Sequence, residues 1–425
     1  MPSFVVDGGH RLHGTLRPAG NKNAALPILA ATLLADGPVT LHNMPRIRDV
    51  ETMIELLAAQ GAVCSWTSEH TLIVDARNAR AGDPDPVLCS HIRASILLAG
   101  PMLARFGRVR LPPPGGDVIG RRRVDTHLLA LQRLGATVNV GATFDFEAKR
   151  LEGDDIFLDE ASVTGTENAL MAAVAAKGQT VLRNAASEPH VQDLANLLVQ
   201  MGARIEGIGS NILTIEGGRP LAGTEFAIGP DHIEIGSFVG LAAVTDSAIT
   251  IEGVRPPDLR ATLLGFERLG VVARVEGANL VVDRGQPRRI SEDLGGHVPK
   301  LEDAIWPGFP ADLMSIALVT ATQCAGTILF FEKLFESRLF FVDKLIGMGA
   351  RIVLCDPHRC VVSGPSSLRG GVVESPDIRA GMAMLLAALA AEGKSAINNI
   401  GQIERGYERI HERLRVLGAK IERRD

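Results

Sequence analysis

The chain has 425 residues, enough for two or three domains. Of these residues 46% are hydrophobic and 22% charged, a balance typical of globular proteins. Its formal net charge of −5 and its 4% of aromatic residues argue against a nucleic-acid-binding protein. No apolar run approaches the roughly 20 residues of a membrane span, and the first residues lack the pattern of a signal peptide. The five cysteines form no disulfide framework, so we expect a cytoplasmic protein without membrane association.

A short phrase recurs six times, at intervals of about 65 to 80 residues, at the end of an apolar helical pattern. In each copy a glycine is followed by a small residue that opens a strand. Glycine just past a helix is a common stop, because it enters the left-handed region without a Cβ clash. The six glycines are Gly61, Gly135, Gly202, Gly270, Gly349 and Gly418.

Each repeat begins with an almost entirely apolar helix, followed by a short strand and a second, amphipathic helix. The first helices are predicted at 22–37, 93–107, 167–178, 234–246, 312–326 and 379–393. The strands are predicted at 39–41, 109–111, 181–182, 249–251, 328–330 and 396–398. Helices that are apolar all round belong inside a protein, so we expect them to be buried with sheets around them.

Six repeats of one type indicate an α/β protein with two domains of three repeats each. We expect the first domain at residues 22–229 and the second at residues 1–21 plus 230–425, because the strand before the first repeat should pair with the second domain. Polar residues stand at the starts of five apolar helices. Helix N-termini carry unpaired N–H groups, so several aimed at one cleft would bind an anion, although these residues could also merely cap their helices. They are Lys22, Arg93, Glu167, Asp312 and Arg379.

The run from Gly20 to Pro27 resembles the opening of the UDP-N-acetylglucosamine 1-carboxyvinyltransferase family, the enolpyruvyl transferases of peptidoglycan synthesis. The resemblance implies two domains, each an inside-out α/β barrel of three repeats, with the active site in the cleft between them. Further segments that carry it, in family order, are Arg93 to Ser95, Leu111 to His127, Ser162 to Asn168, Pro307 to Asp312, Phe335 to Arg338 and Arg405 to Arg409.

The resemblance also implies the reaction and its partners. Enolpyruvyl passes from phosphoenolpyruvate to the 3-hydroxyl of UDP-N-acetylglucosamine, phosphate is released, and no metal or organic cofactor takes part. The sequence likewise contains no HExxH, paired CxxC or Walker motif. The expected partners are therefore two small molecules, with neither nucleic acid nor membrane, and the oligomeric state stays open.

Phosphoenolpyruvate carries a phosphate and a carboxylate, which arginine can bind through two parallel hydrogen bonds. By resemblance its cationic residues are Lys22, Arg122 and Arg405, with Arg338 and Arg379 nearby. The resemblance assigns the nucleotide sugar to Asn23, Arg93, Arg122, Arg123, Val124, Asp125, Ser162, Val163, Thr164, Gly165, Asp312 and the backbone at Leu334.

Three basic residues in this region have open roles. Arg123 could contact a phosphate or the uracil, or could point to solvent. His127 could line the nucleotide site or act as a hydrogen-bond partner in the core. Arg121, which precedes the expected ligand Arg122, is interpreted as a solvated loop residue.

The transfer needs an acid and a base on opposite sides of the reacting centre. Asp312 matches the family residue at the attacking hydroxyl, which makes it the candidate base and substrate orienter, although an aspartate at a helix start can also be a cap. Asp117 is the candidate acid, at a position where most family members carry cysteine and a subset carries aspartate.

The presence of Asp117, where most family members carry cysteine, changes the chemistry of this loop. A carboxyl group ordinarily ionises about 4 to 5 pH units below a thiol, so it must be buried or must borrow a proton transiently. It also resists the epoxide alkylation that disables a thiolate, so we expect fosfomycin not to inactivate the protein covalently. The Pro- and Gly-rich flanks of Asp117 suit a lid that reorders when the nucleotide sugar binds.

Two other functions compete with this interpretation. A 5-enolpyruvylshikimate-3-phosphate synthase has the same fold, but its Lys-Ser opening and Asn-Ala-Gly-Thr phrase are absent here. A catalytically silent UDP-sugar-binding paralogue would explain Asp117, whereas the presence of Lys22, Arg122, Asp312 and Arg405 argues against it. Whether Asp117 donates the proton, assists phosphate loss or gates the loop stays open.

Overall fold

The computed structural model of the protein describes residues 2–117, 119–120 and 122–425, so Arg121 lies outside the described residues. Contacts within the chain divide it into two compact domains. The first domain comprises residues 20–117 and 122–229, and the described residues of the second are 2–19, 119–120 and 230–425.

The strands lie close to the predicted positions. The chain begins with two strands of the second domain, β1 (Ser3–Asp7) and β2 (His13–Leu16). The strands of the first domain are β3 (Val39–His42), β4 (Val63–Ser68), β5 (Thr71–Asp75), β6 (Arg108–Leu111), β7 (Thr137–Val140), β8 (Phe144–Glu147), β9 (Asp155–Phe157), β10 (Gly178–Arg183), β11 (Arg204–Glu206), β12 (Ile212–Gly217) and β13 (Glu225–Ala227). The remaining strands of the second domain are β14 (Ala248–Glu252), β15 (Ala273–Glu276), β16 (Asn279–Val282), β17 (Lys300–Glu302), β18 (Gly326–Phe331), β19 (Ile352–Asp356), β20 (Arg359–Gly364), β21 (Val372–Glu374), β22 (Lys394–Asn398) and β23 (Lys420–Arg424).

The helices alternate with these strands. Those of the first domain are α1 (Lys22–Ala31), α2 (Arg48–Ala59), α3 (Pro86–His91), α4 (Ala99–Phe106), α5 (Asp125–Arg133), α6 (Val163–Ala173) and α7 (Pro189–Gln200). Those of the second are α8 (His232–Val244), α9 (Arg260–Arg268), α10 (Met314–Ala321), α11 (Val342–Gly347), α12 (Ile378–Ala390), α13 (Gly401–Glu404) and α14 (Ile410–Val416). Short 3₁₀ helices occur at Thr32–Leu34, Arg93–Leu98, Pro256–Leu259, Ala311–Leu313 and Arg338–Phe341. Among the described residues, no helix combines the length and the apolar character needed to cross a bilayer.

The described strands form six small sheets, three in each domain; five of them are mixed, and the β6-β8-β7 sheet is antiparallel. In most of them the strand after a buried helix has one parallel and one antiparallel neighbour, as β3 does with β13 and β5. The N-terminal strand β1 lies antiparallel between β22 and β23. The sheet orders are β13-β3-β5-β4, β6-β8-β7, β11-β12-β10-β9, β15-β16-β14-β2, β17-β18-β20-β19 and β21-β22-β1-β23. The predicted α/β fold of six repeated units is thereby confirmed.

Three helices in each domain are largely buried, as their apolar sequences predict. In the first domain these are α1, α4 and α6; in the second, α8, α10 and α12 contact one another directly. Two predicted helices begin with a 3₁₀ turn, at Arg93–Leu98 and Ala311–Leu313. The predicted helix start at Glu167 is wrong, because Ser162 caps α6 and Glu167 lies buried in its second turn.

The six recurrent glycines follow the second helix of each repeat with positive φ angles, between 73° at Gly270 and 118° at Gly202. A residue with a Cβ atom is strained in this region, so the repeated glycine ends the helix and turns the chain into the next strand. The interpretation of the glycine phrase is confirmed.

The close approach of buried helices predicts a stability difference between two glycine substitutions. A Cβ atom on Gly240 in α8 would lie 2.7 Å from Cγ2 of Ile316 in α10, whereas one on exposed Gly347 at the end of α11 would meet nothing within 4 Å. We expect Gly240→Ala to lower the free energy of unfolding by about 1–3 kcal/mol. Gly347→Ala, the matched control, should leave it unchanged or raise it slightly. Urea denaturation of both variants tests this, and equal effects would contradict the packing argument.

Candidate functional site

Lys22 occupies the first position of α1 in the first domain and is held by a buried ion pair. The side chain of Asn21 caps the helix by accepting hydrogen bonds from the backbone N–H groups of Asn23 and Ala24. The Lys22 Nζ atom lies 2.8 Å from Oδ2 of Asp49, and the two side chains are only 9% and 6% exposed. Asp49, in the first turn of α2, thus balances a charge that would be costly to bury alone.

Arg93 anchors the segment that follows Asp117. Its Nη2 atom donates to the carbonyl oxygens of Arg122 (2.8 Å) and Arg123 (3.0 Å). Burial, together with the charge of Arg122, lowers the pKa of Arg93 to about 10, so it is cationic at neutral pH. The predicted cations Arg93 and Arg122 therefore lie together.

The segment before Asp117 is docked through two glycines. The Gly115 N–H donates to the carbonyl oxygen of Cys89, and a Cβ atom on Gly115 would lie 1.7 Å from the carbonyl oxygen of Ser90. Gly116 has a φ of +97° and packs against the backbone and Cβ of Arg93. Asp117 follows directly and is half-buried, so its position is set by a backbone approach that only glycine permits.

Arg123 forms ion pairs with two carboxylates. Its Nε atom lies 3.1 Å from Oδ2 of Asp125, and its Nη2 atom lies 2.9 Å from Oδ2 of Asp159. Thr126 donates to the other oxygen of Asp159 at 2.7 Å. The Arg123 side chain is 42% exposed and is ion-paired at the surface. Among the roles left open by the sequence, this arrangement agrees with a side chain that points to solvent. The sequence analysis missed Asp159, which joins Arg123 to the start of α5.

The N-terminus of α6 carries the predicted nucleotide residues Ser162 to Gly165. The Ser162 hydroxyl accepts a hydrogen bond from the Gly165 N–H at 3.2 Å. His127 is fully buried, and its Nε2 atom lies 3.1 Å from Oγ1 of Thr164. Burial, aided by the charge of Arg93, lowers the pKa of His127 to about 3, so the ring is neutral. His127 is thus a core residue in direct contact with the predicted site.

Asp312 of the second domain lies between two arginines. Its Oδ1 atom accepts from Nη2 of Arg338 at 2.7 Å, and its Oδ2 atom accepts from Nε and Nη2 of Arg379 at 3.0 and 2.9 Å. Burial alone would raise the pKa of Asp312, but the charges and hydrogen bonds of Arg379 and Arg338 outweigh it and hold the pKa well below its usual range. Asp312 is therefore a carboxylate, better suited to orienting a hydroxyl group than to storing a proton.

Arg379 is itself positioned by several groups. Its backbone N–H donates to the capping side chain of Asp377, and its Nη1 atom donates to the Tyr407 hydroxyl at 3.3 Å. The guanidinium carbon also lies 5.5 Å from the centre of the Tyr407 ring, a cation–π distance. The neighbouring Arg405 donates from Nη1 to the side chain of Gln402 at 2.9 Å. The sequence analysis did not identify Tyr407 as a support of Arg379.

A pair of buried acids holds the segment that carries Leu334 and Arg338. The carboxylate of Asp303 accepts from the backbone N–H groups of Lys333 (2.5 Å) and Leu334 (3.2 Å). Glu332 is fully buried, and its burial, together with the adjacent carboxyl group of Asp303, raises its pKa to about 9. Glu332 thus keeps its proton at neutral pH, which avoids a second buried negative charge beside Asp303.

The predicted residues therefore form separate groups within each domain. In the first domain the structure joins Arg93 to Arg122 and Arg123, and His127 to Thr164. Lys22 and Arg405 are held by partners that were not predicted, Asp49 and Gln402. Gln402 lies three residues before Arg405, whereas Asp49 is 27 residues from Lys22, so no local pattern could pair Lys22 with Asp49. In the second domain the structure joins Asp312, Arg338 and Arg379.

Comparisons with known proteins agree over the full chain. The family model for EPSP synthase (3-phosphoshikimate 1-carboxyvinyltransferase) matches residues 6–414. The UDP-N-acetylglucosamine 1-carboxyvinyltransferase of Bradyrhizobium diazoefficiens is 65% identical over 420 residues, which cover 99% of this chain and 97% of the relative. The enzyme of the same name from Treponema denticola is 55% identical over 422 residues, 99% of both chains.

Solved structures show the same fold. The enolpyruvyl transferase NikO from Streptomyces tendae superposes with a TM-score of 0.87 and 26% identity, covering 99% of this chain and 98% of its own. EPSP synthase from Acinetobacter baumannii superposes with a TM-score of 0.75 over both full chains, at 17% identity. At this low identity, the likeness to EPSP synthase shows a shared fold and nothing further.

The buried acid pair predicts a pH-dependent stability term. With its pKa raised from 4.5 to about 9, folded Glu332 keeps a proton that the unfolded chain releases in this range, so its contribution to stability falls as pH rises from about 5 to 9. Glu332→Gln cannot titrate. We therefore expect the free energy of unfolding of this variant, relative to the original protein, to increase steadily over that range in urea denaturation. A difference that does not depend on pH would show that Glu332 is ionised when folded.

Proposed function

Because the chain belongs to the EPSP synthase family and, within it, to the UDP-N-acetylglucosamine 1-carboxyvinyltransferases, we propose that it transfers enolpyruvyl from phosphoenolpyruvate to the 3-hydroxyl of UDP-N-acetylglucosamine and releases phosphate. The observation that carries this proposal is the 65% identity to the Bradyrhizobium diazoefficiens enzyme over 99% of the chain. The product would enter peptidoglycan precursor synthesis at its first committed step, in the cytoplasm.

Phosphoenolpyruvate brings two anionic groups, and we assign them to Lys22, Arg122 and Arg405, with Arg338 and Arg379 nearby. The buried pairs Lys22–Asp49 and Arg379–Asp312 support this assignment, because they hold the charged groups in place before the ligand arrives. Groups that are already oriented stabilise a developing charge without the cost of reorganising water.

We assign Asp312 to the 3-hydroxyl of the sugar. Its carboxylate is bound by Arg338 and Arg379 yet remains 26% exposed, so it can accept a hydrogen bond from the attacking hydroxyl. The low pKa of Asp312 means that it polarises and aligns this hydroxyl, and that the proton lost by the hydroxyl leaves with the released phosphate rather than staying on Asp312. The two arginines fix the direction in which the carboxylate points.

We assign proton delivery to C3 of phosphoenolpyruvate to Asp117. Gly115 and Gly116 pack against residues 89–93 and hold the start of the loop in place. This supports the assignment, because Asp117 is the next residue along the chain. Alternatively, Asp117 assists phosphate loss or gates the loop. A silent UDP-sugar-binding paralogue remains the second candidate function, because Asp117 stands in place of the usual cysteine.

Phosphate release from phosphoenolpyruvate plus UDP-N-acetylglucosamine tests both the reaction and the role of Asp117. We expect activity in the unchanged protein and a loss of about 10²- to 10⁴-fold in kcat for Asp117→Asn, which has the same shape but no acidic proton. The Asp117→Cys variant should be active, and fosfomycin should inactivate it irreversibly. The unchanged protein should stay insensitive to fosfomycin.

Two outcomes would contradict this proposal. Nucleotide-sugar binding without phosphate release in the unchanged protein would favour the silent paralogue. Rapid inactivation of the unchanged protein by fosfomycin, with an adduct on Asp117, would disprove the expected insensitivity.

The arginine clamp on Asp312 yields a separate prediction. Asp312→Asn keeps the size of the side chain but removes its charge, so the hydroxyl is no longer polarised. We expect kcat to fall by about 10²-fold or more, with a smaller change in KM for phosphoenolpyruvate. Steady-state kinetics with each substrate varied in turn measures this. Near-normal turnover in a folded Asp312→Asn protein would exclude the assignment, and Asp283→Asn, at an exposed ion pair with Arg274, serves as the control.

A further inference from the structure

A chain of buried hydrogen bonds runs through the first domain to the N-terminus of α6. Asn168 and His127 are both 0% exposed. The Asn168 side chain contacts the backbone N–H of Gly100 at 2.8 Å, the carbonyl oxygen of Ile96 at 2.7 Å and Nδ1 of His127 at 2.8 Å. The other ring nitrogen of His127 meets the hydroxyl of Thr164 at 3.1 Å. Each of these contacts has a defined direction.

The backbone sets the orientation of the Asn168 amide. The Gly100 N–H can only donate, so the atom facing it is the Asn168 oxygen. The carbonyl oxygen of Ile96 can only accept, so the atom facing it is the amide nitrogen. The same nitrogen donates its second hydrogen to Nδ1 of His127. A flipped amide would place two acceptors together at Ile96 and two donors together at Gly100.

The packing of α4 on α6 prevents other orientations. A Cβ atom on Gly100 would lie 2.6 Å from the backbone carbonyl oxygen of Asn168 and 2.9 Å from its side-chain oxygen. The two helices therefore approach so closely that only glycine fits at the crossing. Asn168 is locked by this contact.

The orientation of Asn168 then determines the tautomer of His127. Since Nδ1 accepts a hydrogen bond, the proton of the neutral ring must be on Nε2, and Nε2 donates to Oγ1 of Thr164. The low pKa of His127 agrees with a ring that carries a single proton. Thr164 is therefore an acceptor toward the ring, and its own hydroxyl hydrogen points elsewhere.

That hydrogen has no partner among the residues that the structure describes, and Thr164 is the second residue of α6, an 11-residue helix. The first N–H groups of a helix lack partners within the helix and favour an anion. We propose that Asn168 is a positioning residue, which acts through His127 to commit the Thr164 hydroxyl as a donor to a diphosphate oxygen of the nucleotide sugar. The inference rests on the proposed function, since it requires that ligand.

A double-mutant cycle separates this role from a structural one. Calorimetry would measure the Kd for UDP-N-acetylglucosamine of the unchanged protein, Asn168→Leu, Thr164→Val and the double variant. A hydrogen bond to a charged group corresponds to a loss of about 10-fold or more in affinity, which we expect for each single variant. If Asn168 acts through the Thr164 hydroxyl, the double variant binds no more weakly than Thr164→Val alone. Thr164→Ser, which keeps the hydroxyl, should bind like the unchanged protein.

A second measurement does not depend on whether Asn168→Leu folds. In ¹⁵N-histidine-labelled protein, with His127→Gln used for assignment, the His127 resonances should show a protonated Nε2 and an unprotonated Nδ1 that do not titrate between about pH 5 and 8. A protonated Nδ1, alone or in an imidazolium, would overturn the inference.

The outcomes of the two experiments are distinguishable. Losses that add in the double variant, with normal binding by the unchanged protein, would overturn the role of Asn168 while leaving the proposed function intact. No binding of UDP-N-acetylglucosamine by the unchanged protein would overturn the proposed function, and the role of Asn168 with it.

Discussion

The burial of three apolar helices inside each domain is the constraint on which the rest of the structure depends. Such helices contain few polar residues, and those present are largely enclosed. A charged or polar group in such a place must find a partner within the protein, because an unpaired buried charge costs several kcal/mol. Lys22 with Asp49, Arg379 with Asp312, and Asn168 with His127 are three solutions to this problem.

The same pairing prepares the helix starts for chemistry. A side chain whose rotamer is already determined by a buried partner loses little freedom when a ligand binds. Arg379 illustrates this, since Asp312, Tyr407 and the cap at Asp377 each restrict a different part of it. The interactions that allow these residues to be buried are thus the ones that orient them.

Two carboxyl groups of the second domain show how strongly their surroundings decide their charge. Asp312 faces two guanidinium groups and stays ionised, whereas Glu332 is fully buried beside Asp303 and keeps its proton. The first is suited to contact a hydroxyl group, whereas the second lies beside Asp303, the carboxylate that holds the backbone segment before Arg338. Residue type alone would have assigned both the same charge.

The six repeats and the buried helices could be predicted from the sequence alone, because apolar periodicity and a glycine stop such as Gly202 are local properties; the resemblance suggested the candidate site residues. The apolar pattern misplaced the start of α6 at Glu167, since a cap such as Ser162 is a weak local signal beside a strongly apolar run. Only the tertiary structure decided which groups meet. Asp312 and Arg379 are 67 residues apart, and Gly100 and Asn168 are 68 apart, so their contacts depend on how separate helices pack. Tautomers, ionisation states and side-chain orientations follow from those contacts, and so they too were decided by packing.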